Sequence, residues 1–224
     1  MNEQVKCTDN GMQTQVQLET QENLQMKEAC RRCFEPARAA TERLLRESGK
    51  PQILLAIDGK CAGGKTTLGY YLQSEFGGTL LHMDDFFLRP EQRTKERLSQ
   101  PGGNVDYERF REEVLRPLIR GEDVCYRPFN CSTLQVEKGR RLVTLDPGSR
   151  LYIIEGSYSC HPYFENPYDL RIFIDINEKE QLERIRRRNG EQLFKRFQNE
   201  WIPMENTYFE YFQIQENSDI RLSI

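Results

Sequence analysis

Residues 54–72 read "LLAIDGKCAGGKTTLGYYL". Four apolar residues, Leu54 to Ile57, come first. Gly59, Gly63 and Gly64 follow, then Lys65, Thr66 and Thr67, and then apolar residues at helical spacing. The eight residues Gly59 to Thr66 fit the pattern G-x-x-x-x-G-K-[ST]. Glycines let the backbone turn so that successive N–H groups, here from Gly59, Lys60, Cys61, Ala62, Gly63, Gly64, Lys65, Thr66 and Thr67, face one anion. The helix that follows adds the positive end of its dipole. A buried strand before the loop and a helix after it are the context this pattern requires.

The anion this predicts is the phosphate chain of a nucleoside triphosphate. Lys65 would neutralise the outer phosphates, and Thr66 would offer its hydroxyl to Mg²⁺. No N-K-x-D tetrapeptide of the guanine-reading kind occurs, which favours ATP. "LSQPGGN" (98–104) has a faint likeness to the signature of transport ATPases. It lacks the long helix and the apolar strand ending in Asp-Glu that those domains place after it.

Outward from the loop, strands and helices alternate. "QILLAID" (52–58) is apolar on both faces and reads as a central parallel strand. "TTLGYYLQSEF" (66–76) reads as a helix closed by Gly77-Gly78, and "TLLHMD" (79–84) as a second strand. Residues 86–106 read as a long polar loop and 107–121 as a helix. "DVCYRPFN", "TLQVEKG" and "RRLVTLD", between 123 and 146, read as short strands with a turn at Lys138-Gly139. "RLYIIEGS" (150–157) and "LRIFIDI" (170–176) are further buried strands. Residues 178–212 are helical, broken near Asn189-Gly190 and again before Pro203. This alternation predicts an α/β fold, a P-loop three-layer sandwich with a mostly parallel central sheet and a small β flap on the substrate side.

The 224 residues suffice for one sizeable α/β domain with a small appendage. Charged residues make up 30% and the net charge is -3, which gives no general pull toward nucleic acid or anionic membrane. No apolar run approaches the roughly 18 to 20 residues needed to span a bilayer, and the polar N-terminus has no signal-peptide core. These features predict a cytoplasmic protein. Seven cysteines show no disulfide spacing. Cys30 and Cys33 form a C-x-x-C without the second pair a zinc site needs. Residues 1 to about 24 read as a polar tail. Residues 24–48 read as helical, with Pro36 kinking or dividing the helix.

Two carboxylate positions stand at strand ends. "LLHMDDFF" ends a strand in Asp84-Asp85, and "LYIIEGS" ends one in Glu155. Carboxylates at the C-terminal ends of parallel strands face the ligand crevice of an open α/β sheet. There one can orient an attacking hydroxyl and another can serve a metal ion. His82 reads as a core strand residue. Trp201 and the aromatics of "YFEYF" read as helix packing.

The phosphate loop, M-D-D-F-F and I-I-E-G-S, in this order and spacing, resemble the uridine kinase-like family of P-loop kinases. That family includes nicotinamide riboside kinases and phosphoribulokinases. The resemblance covers about residues 50–220 and implies two segments, an N-terminal tail with helices (1–49) and a kinase domain (50–224). It implies Asp84 as the catalytic aspartate, Thr66 and Glu155 on the magnesium side, and Asp106 holding an acceptor's ribose hydroxyls. It implies Tyr126, Arg127 and Phe129 in the acceptor pocket. It also implies an arginine-rich lid, with Arg184 and Arg188 the candidates to join Lys65 at the transferring phosphate. The chain departs from the family at Asn130-Cys131-Ser132-Thr133, where a histidine and an arginine usually stand, and in a shorter lid. The expectation is an ATP- and Mg²⁺-dependent kinase for a small-molecule hydroxyl, first of all a nucleoside 5′-hydroxyl. The partner is a small molecule, with no nucleic acid or membrane, and a homo-oligomer is left open. Other acceptors (nicotinamide riboside, pantothenate, a sugar acid) and a non-catalytic nucleotide sensor remain the alternatives.

Overall fold

All seven residues of β1 (Ile53–Gly59) are buried, as a strand apolar on both pleat faces requires. In this computed structural model, β1 lies between β7 (Leu151–Glu155) and β8 (Leu170–Asp175) and pairs parallel with both. β2 (Thr79–His82) extends the sheet beyond β7, and β9 (Ile220–Ser223) extends it beyond β8, again in parallel. The strand order is β2-β7-β1-β8-β9. The neighbours of β1 on its two sides come from different crossovers, so a crevice opens at the carboxyl ends of β1 and β7. The expected α/β fold with a parallel sheet is the one observed.

The structure describes residues 31–131, 133–143 and 148–224. The tail expected at 1–24, the start of the N-terminal helix and Cys30 of the C-x-x-C lie outside these residues. A helical segment, α1, covers residues 31–47 and runs on through Pro36. The main compact unit is Pro36–Ile224.

Within that unit, α2 (Lys65–Phe76) leaves the glycine loop and packs against β1, β2 and β7. The expected polar loop at 86–106 contains a 3₁₀ turn, Pro90–Gln92, and a short helix, α3 (Lys95–Leu98), which the Thr94 hydroxyl caps through Arg97 N at 3.2 Å. The helix expected at 107–121 is α4 (Tyr107–Phe110), a π-helical stretch (Arg111–Leu115) and α5 (Arg116–Arg120). Pro117 lacks the N–H for an i→i−4 bond, which accounts for the widened turn before it. β3 (Val124–Tyr126) pairs with β6 (Arg141–Val143), and β4 (Phe129–Asn130) with β5 (Gln135–Val136), both antiparallel and outside the main sheet. These two ladders are the expected flap. α6 (Glu178–Arg196) breaks at Gly190 (φ 74°, ψ 171°). A π-helical stretch, Phe197–Trp201, then leads into α7 (Ile202–Phe212).

Two expectations change. The second strand ends at His82, and Asp84 and Asp85 lie in a 3₁₀ turn, Met83–Phe86, because Met83 and Phe86 both turn into the core. The edge strand β9 had no sequence expectation. It is four residues long and, among the described residues, pairs on one side only, against β8. Among the described residues no helix is long and apolar enough to cross a membrane.

One buried polar group ties these layers together. Asp58 on β1 is fully buried and accepts four hydrogen bonds. They come from the N–H groups of Gly59 (2.7 Å), Tyr158 (3.1 Å) and Cys160 (2.9 Å) and the hydroxyl of Tyr208 (2.8 Å) on α7. Burial pushes its carboxyl up to about 6 against the pull of these donors, so it is ionised at neutral pH. Asp58→Ala should strand four donors and cost about 3 kcal/mol or more in urea unfolding, whereas Tyr208→Phe should cost about 1 to 2 kcal/mol. Equal, small losses for both variants would show that Asp58 is not the shared anchor.

Candidate active site

The glycine loop sits where β1 leaves the sheet. A Cβ at Gly59 (φ 136°) would stand 2.1 Å from the Ile174 carbonyl oxygen, so a side chain there cannot coexist with β8. No side chain caps α2, which leaves its first N–H groups free to face an anion. Lys65 Nζ bends over the loop and donates to the carbonyls of Gly59 (2.8 Å) and Lys60 (2.9 Å). Lys60 turns away, pairing with Asp175 at 2.7 Å and donating to Ile176 O at 3.3 Å. The N–H of Cys61 donates to Glu205 Oε2 on α7 at 2.9 Å, and Glu205 Oε1 accepts from Ser157 Oγ at 2.7 Å. Burial holds the Cys61 thiol well above its ordinary pKa, so it stays protonated. Gly63 N donates to Lys60 O at 3.1 Å, and the carbonyl of Ala62 accepts from Arg184 at 3.3 Å. Gly64 is the N-cap of α2 with φ 94°, and Thr67 is exposed.

Thr66 Oγ1 lies 3.1 Å from each carboxylate oxygen of Glu155. Glu155 Oε1 also meets His82 Nδ1 at 2.5 Å. His82 is therefore a partly exposed strand-end group facing the crevice, not the core residue its strand position suggested. Its hydrogen bond to Glu155 raises its pKa and favours the imidazolium. The sequence carries the pairing only as a histidine at the end of one strand and a glutamate at the end of the next.

The two aspartates after β2 differ in engagement. Asp85 Oδ2 accepts from Tyr126 OH at 2.7 Å and from Arg141 at 2.8 Å, and Arg141 also reaches Tyr126 OH at 3.1 Å. Asp85 thus fastens the flap to the turn. Among the described residues Asp84 takes no hydrogen bond or ion pair, and its electrostatic neighbours are Glu155, Lys65, Glu205 and His82. Surrounding protein, then the charge of Glu155, push its carboxyl up to about 6. The residue still meets solvent at the crevice, and the neighbouring carboxylates act upward whether or not water reaches it.

Asp106 is the N-cap of α4. Its Oδ1 accepts from Arg109 N at 3.1 Å and its Oδ2 from Gln92 at 2.8 Å. Tyr126 and Phe129 are buried in the flap, Phe129 edge-on to Phe87, and Arg127 is exposed. Arg184 reaches the loop at Ala62 and pairs with Glu180. Arg188 is exposed and bonds to Asn189 beside the Gly190 break. Trp201 packs edge-on against Phe197, and Tyr208 and Phe209 are buried as expected, whereas Tyr211 of the same run is exposed. Asp58, Glu205, Ser157 and His82 are the functional neighbours that sequence reading did not mark.

The donor set fits a hard cation in a limited way. Thr66 and Glu155 bring oxygens together. Among the described residues no cluster of three or more His, Cys, Asp or Glu side chains forms a cage. Mg²⁺ characteristically takes one or two protein oxygens and completes its shell with phosphate and water, and this pair supplies that much.

No protein-family model matches the chain, and no curated protein matches it in sequence. Among solved structures, a possible uridine kinase from Bacillus stearothermophilus is similar, with TM-score 0.64 and 18% identity over 87% of this chain and 99% of that one. A candidate fructose transport system kinase from Silicibacter sp. TM1040 is similar too, with TM-score 0.62 and 20% identity over 82% of this chain and 97% of that one. The chain thus has the P-loop three-layer α/β fold, and its likeness to the uridine kinase-like P-loop kinases is one of fold.

The carboxyl of Asp84 should titrate near pH 6 by carbon-detected NMR, and Glu155→Gln should lower that midpoint by removing a neighbouring negative charge. An unchanged midpoint would mean that the two groups do not share one site.

Proposed function

We propose that the protein is an ATP-dependent kinase that transfers the γ-phosphate to a hydroxyl of a small molecule. The observation that carries this reading is the contrast between Asp84 and its neighbours. Asp85, Asp106, Asp58 and Glu205 are all occupied in hydrogen bonds. Among the described residues Asp84 has no hydrogen-bond or ion-pair partner, and it stands within the electrostatic reach of Lys65 and Glu155. A carboxylate left unpaired beside a phosphate loop is suited to accept a proton from an incoming hydroxyl.

In this reading the N–H groups of the loop and of α2 hold the phosphates, and Lys65 turns from the loop carbonyls to the outer phosphate oxygens. Thr66 and Glu155 would hold Mg²⁺, which neutralises phosphate charge when bound. Asp84 orients the acceptor hydroxyl and takes its proton as the new oxygen–phosphorus bond forms and the bond to the ADP oxygen breaks. Arg184, already against the loop at Ala62, adds positive charge on the lid side. Most of the acceleration comes from positioning and electrostatics.

The first acceptor to test is a nucleoside 5′-hydroxyl, supported by the sequence resemblance and by the fold shared with a possible uridine kinase. A sugar is the second, supported by the fold shared with a candidate fructose transport system kinase. Both oxygens of Asp106 are engaged, so in this proposal it fixes the turn on the acceptor side instead of holding a diol itself.

The test is acceptor-dependent ADP release across a panel of nucleosides and sugars. Lys65→Ala should remove most activity, since charge-assisted contacts are worth roughly 1.5 to 3 kcal/mol each. Asp84→Asn should lower kcat by about 10² to 10⁴-fold with ATP binding kept, and Asp85→Asn should act mainly on KM for the acceptor. The acid side sets the pH profile. Asp84 must be ionised to act and its pKa is raised, so kcat/KM should fall as pH drops through about 6. ATP binding without ADP release for any acceptor would leave a nucleotide sensor.

A further inference from the structure

Arg109 on α4 directs its hydrogen bonds away from its nearest carboxylates. Asp106 Oδ2 lies 3.8 Å from its Nε and Glu113 Oε2 lies 3.7 Å from one terminal nitrogen, and neither closes to hydrogen-bond distance. Nε makes no hydrogen bond. The two short bonds go to neutral backbone oxygens of two other segments. One terminal nitrogen donates to the carbonyl of Asp85 at 2.7 Å, and the other to the carbonyl of Arg127 at 2.6 Å.

Each carbonyl belongs to a part of the candidate site. Asp85 follows Asp84 in the 3₁₀ turn Met83–Phe86, and Arg127 lies between Tyr126 and Phe129 in the flap. A guanidinium is planar and rigid, so two carbonyls on its two terminal nitrogens are held at a fixed separation. The plane is itself located. Its central carbon stands 4.3 Å from the centroid of the Phe86 ring, and that ring packs against Phe110 and Tyr126, each at 5.0 Å. The backbone of Arg109 is fixed as well, since its N–H donates to the capping Asp106 at 3.1 Å, and the N–H of Asp106 donates to Phe86 O at 2.7 Å. The side chain is 14% exposed, so water competes little for either bond.

A residue serving only charge balance would close on Asp106 or Glu113. A residue serving only its own helix would not bridge two other segments. The side-chain tie of Asp85 to Tyr126 and Arg141 joins the same turn and flap, but it fixes the Asp85 carboxylate. Arg109 fixes the backbone, and the direction of the adjacent Asp84 side chain follows the backbone.

We propose that Arg109 is a positioning residue: its guanidinium clamps the backbone of the Asp84 turn to the backbone of the flap, and so sets the distance between Asp84 and an acceptor hydroxyl lying under the flap. The catalytic consequence rests on the kinase reading; the clamp does not. Lysine carries a single nitrogen on a flexible stem and cannot hold both carbonyls in one plane.

The test compares Arg109→Lys and Arg109→Ala with the unchanged full chain, by amide hydrogen exchange and by steady-state ADP release. In Arg109→Lys, exchange should rise about 10-fold in the Met83–Phe86 turn and in the β3-β6 ladder together, with β1 and β7 unaffected. With an acceptor that the unchanged chain uses, kcat should fall by about 10 to 100-fold, the scale set by a small misplacement of a reacting group, while KM for ATP stays the same. Guanidinium ion, well below concentrations that unfold the protein, should restore part of the turnover of Arg109→Ala, and urea, its uncharged analogue, should not. If Arg109→Ala fails to fold, Arg109→Lys decides alone. The clamp is overturned if exchange rises in neither segment or in only one of them. The positioning role is overturned if Arg109→Lys keeps its kcat, if the loss lies in KM for ATP, or if urea restores turnover as well as guanidinium does. The same samples separate the two readings. Joint loosening of turn and flap, with no ADP release from the unchanged chain for any acceptor, would keep the clamp and remove the kinase. ADP release with no joint loosening would do the reverse.

Discussion

The carboxylate of Asp58 is the contact on which the site's geometry depends. It is buried where β1 ends, and its donors come from three places: the start of the phosphate loop, the segment after β7, and α7. Each would otherwise be free to shift against the sheet. A buried charge with four donors tolerates little displacement, because every lost donor leaves part of the charge unsolvated. Glu205 repeats the device one layer out, joining α7 to Cys61 and Ser157. The loop, Tyr158 and α7 are thus held to one another by two carboxylates that do not themselves need to touch a ligand.

This division of labour accounts for the acidic residues crowded around the glycine loop. Asp58 and Glu205 organise backbone, Asp85 fastens the flap through Tyr126 and Arg141, and Asp106 caps α4. Glu155 is shared between Thr66 and His82. Among the described residues Asp84 alone of these is uncommitted, and desolvation first, then the negative neighbours Glu155 and Glu205, raise its pKa.

The phosphate loop was legible because its chemistry is contiguous: one strand, one run of glycines, one lysine and one helix start within Leu54–Leu72. The parallel sheet was legible for the same reason, since each central strand declares itself by burial on both faces. β9 was not, because four residues paired on one edge carry little pattern. Thr66 and Glu155 were marked from separate motifs, and the structure brings them together. Asp58 looked like the last residue of a strand, and nothing local announces that its partners are 100 and 150 residues away. His82 misled because strand membership implies a core, whereas the last residue of a strand faces the crevice. Asp106 carried its own signal, an aspartate three residues before Arg109 at a helix start. That is an N-cap pattern, and it competes with the ligand role the resemblance implied.

Charge around the loop is unevenly distributed. Lys65 and His82, whose pKa the hydrogen bond to Glu155 raises, face Asp84, Glu155 and Glu205, so the crevice is already short of positive charge before any phosphate arrives. The helix dipole and the loop N–H groups offset part of a phosphate chain's charge, each fixed donor being worth more in a partly dehydrated crevice than in water. They do not offset all of it. The proposed reading therefore requires cations to come with the nucleotide or with the lid, and the structure offers a place for each. The oxygen pair of Thr66 and Glu155 suits a hard divalent ion, and Arg184 lies against Ala62 from the lid side.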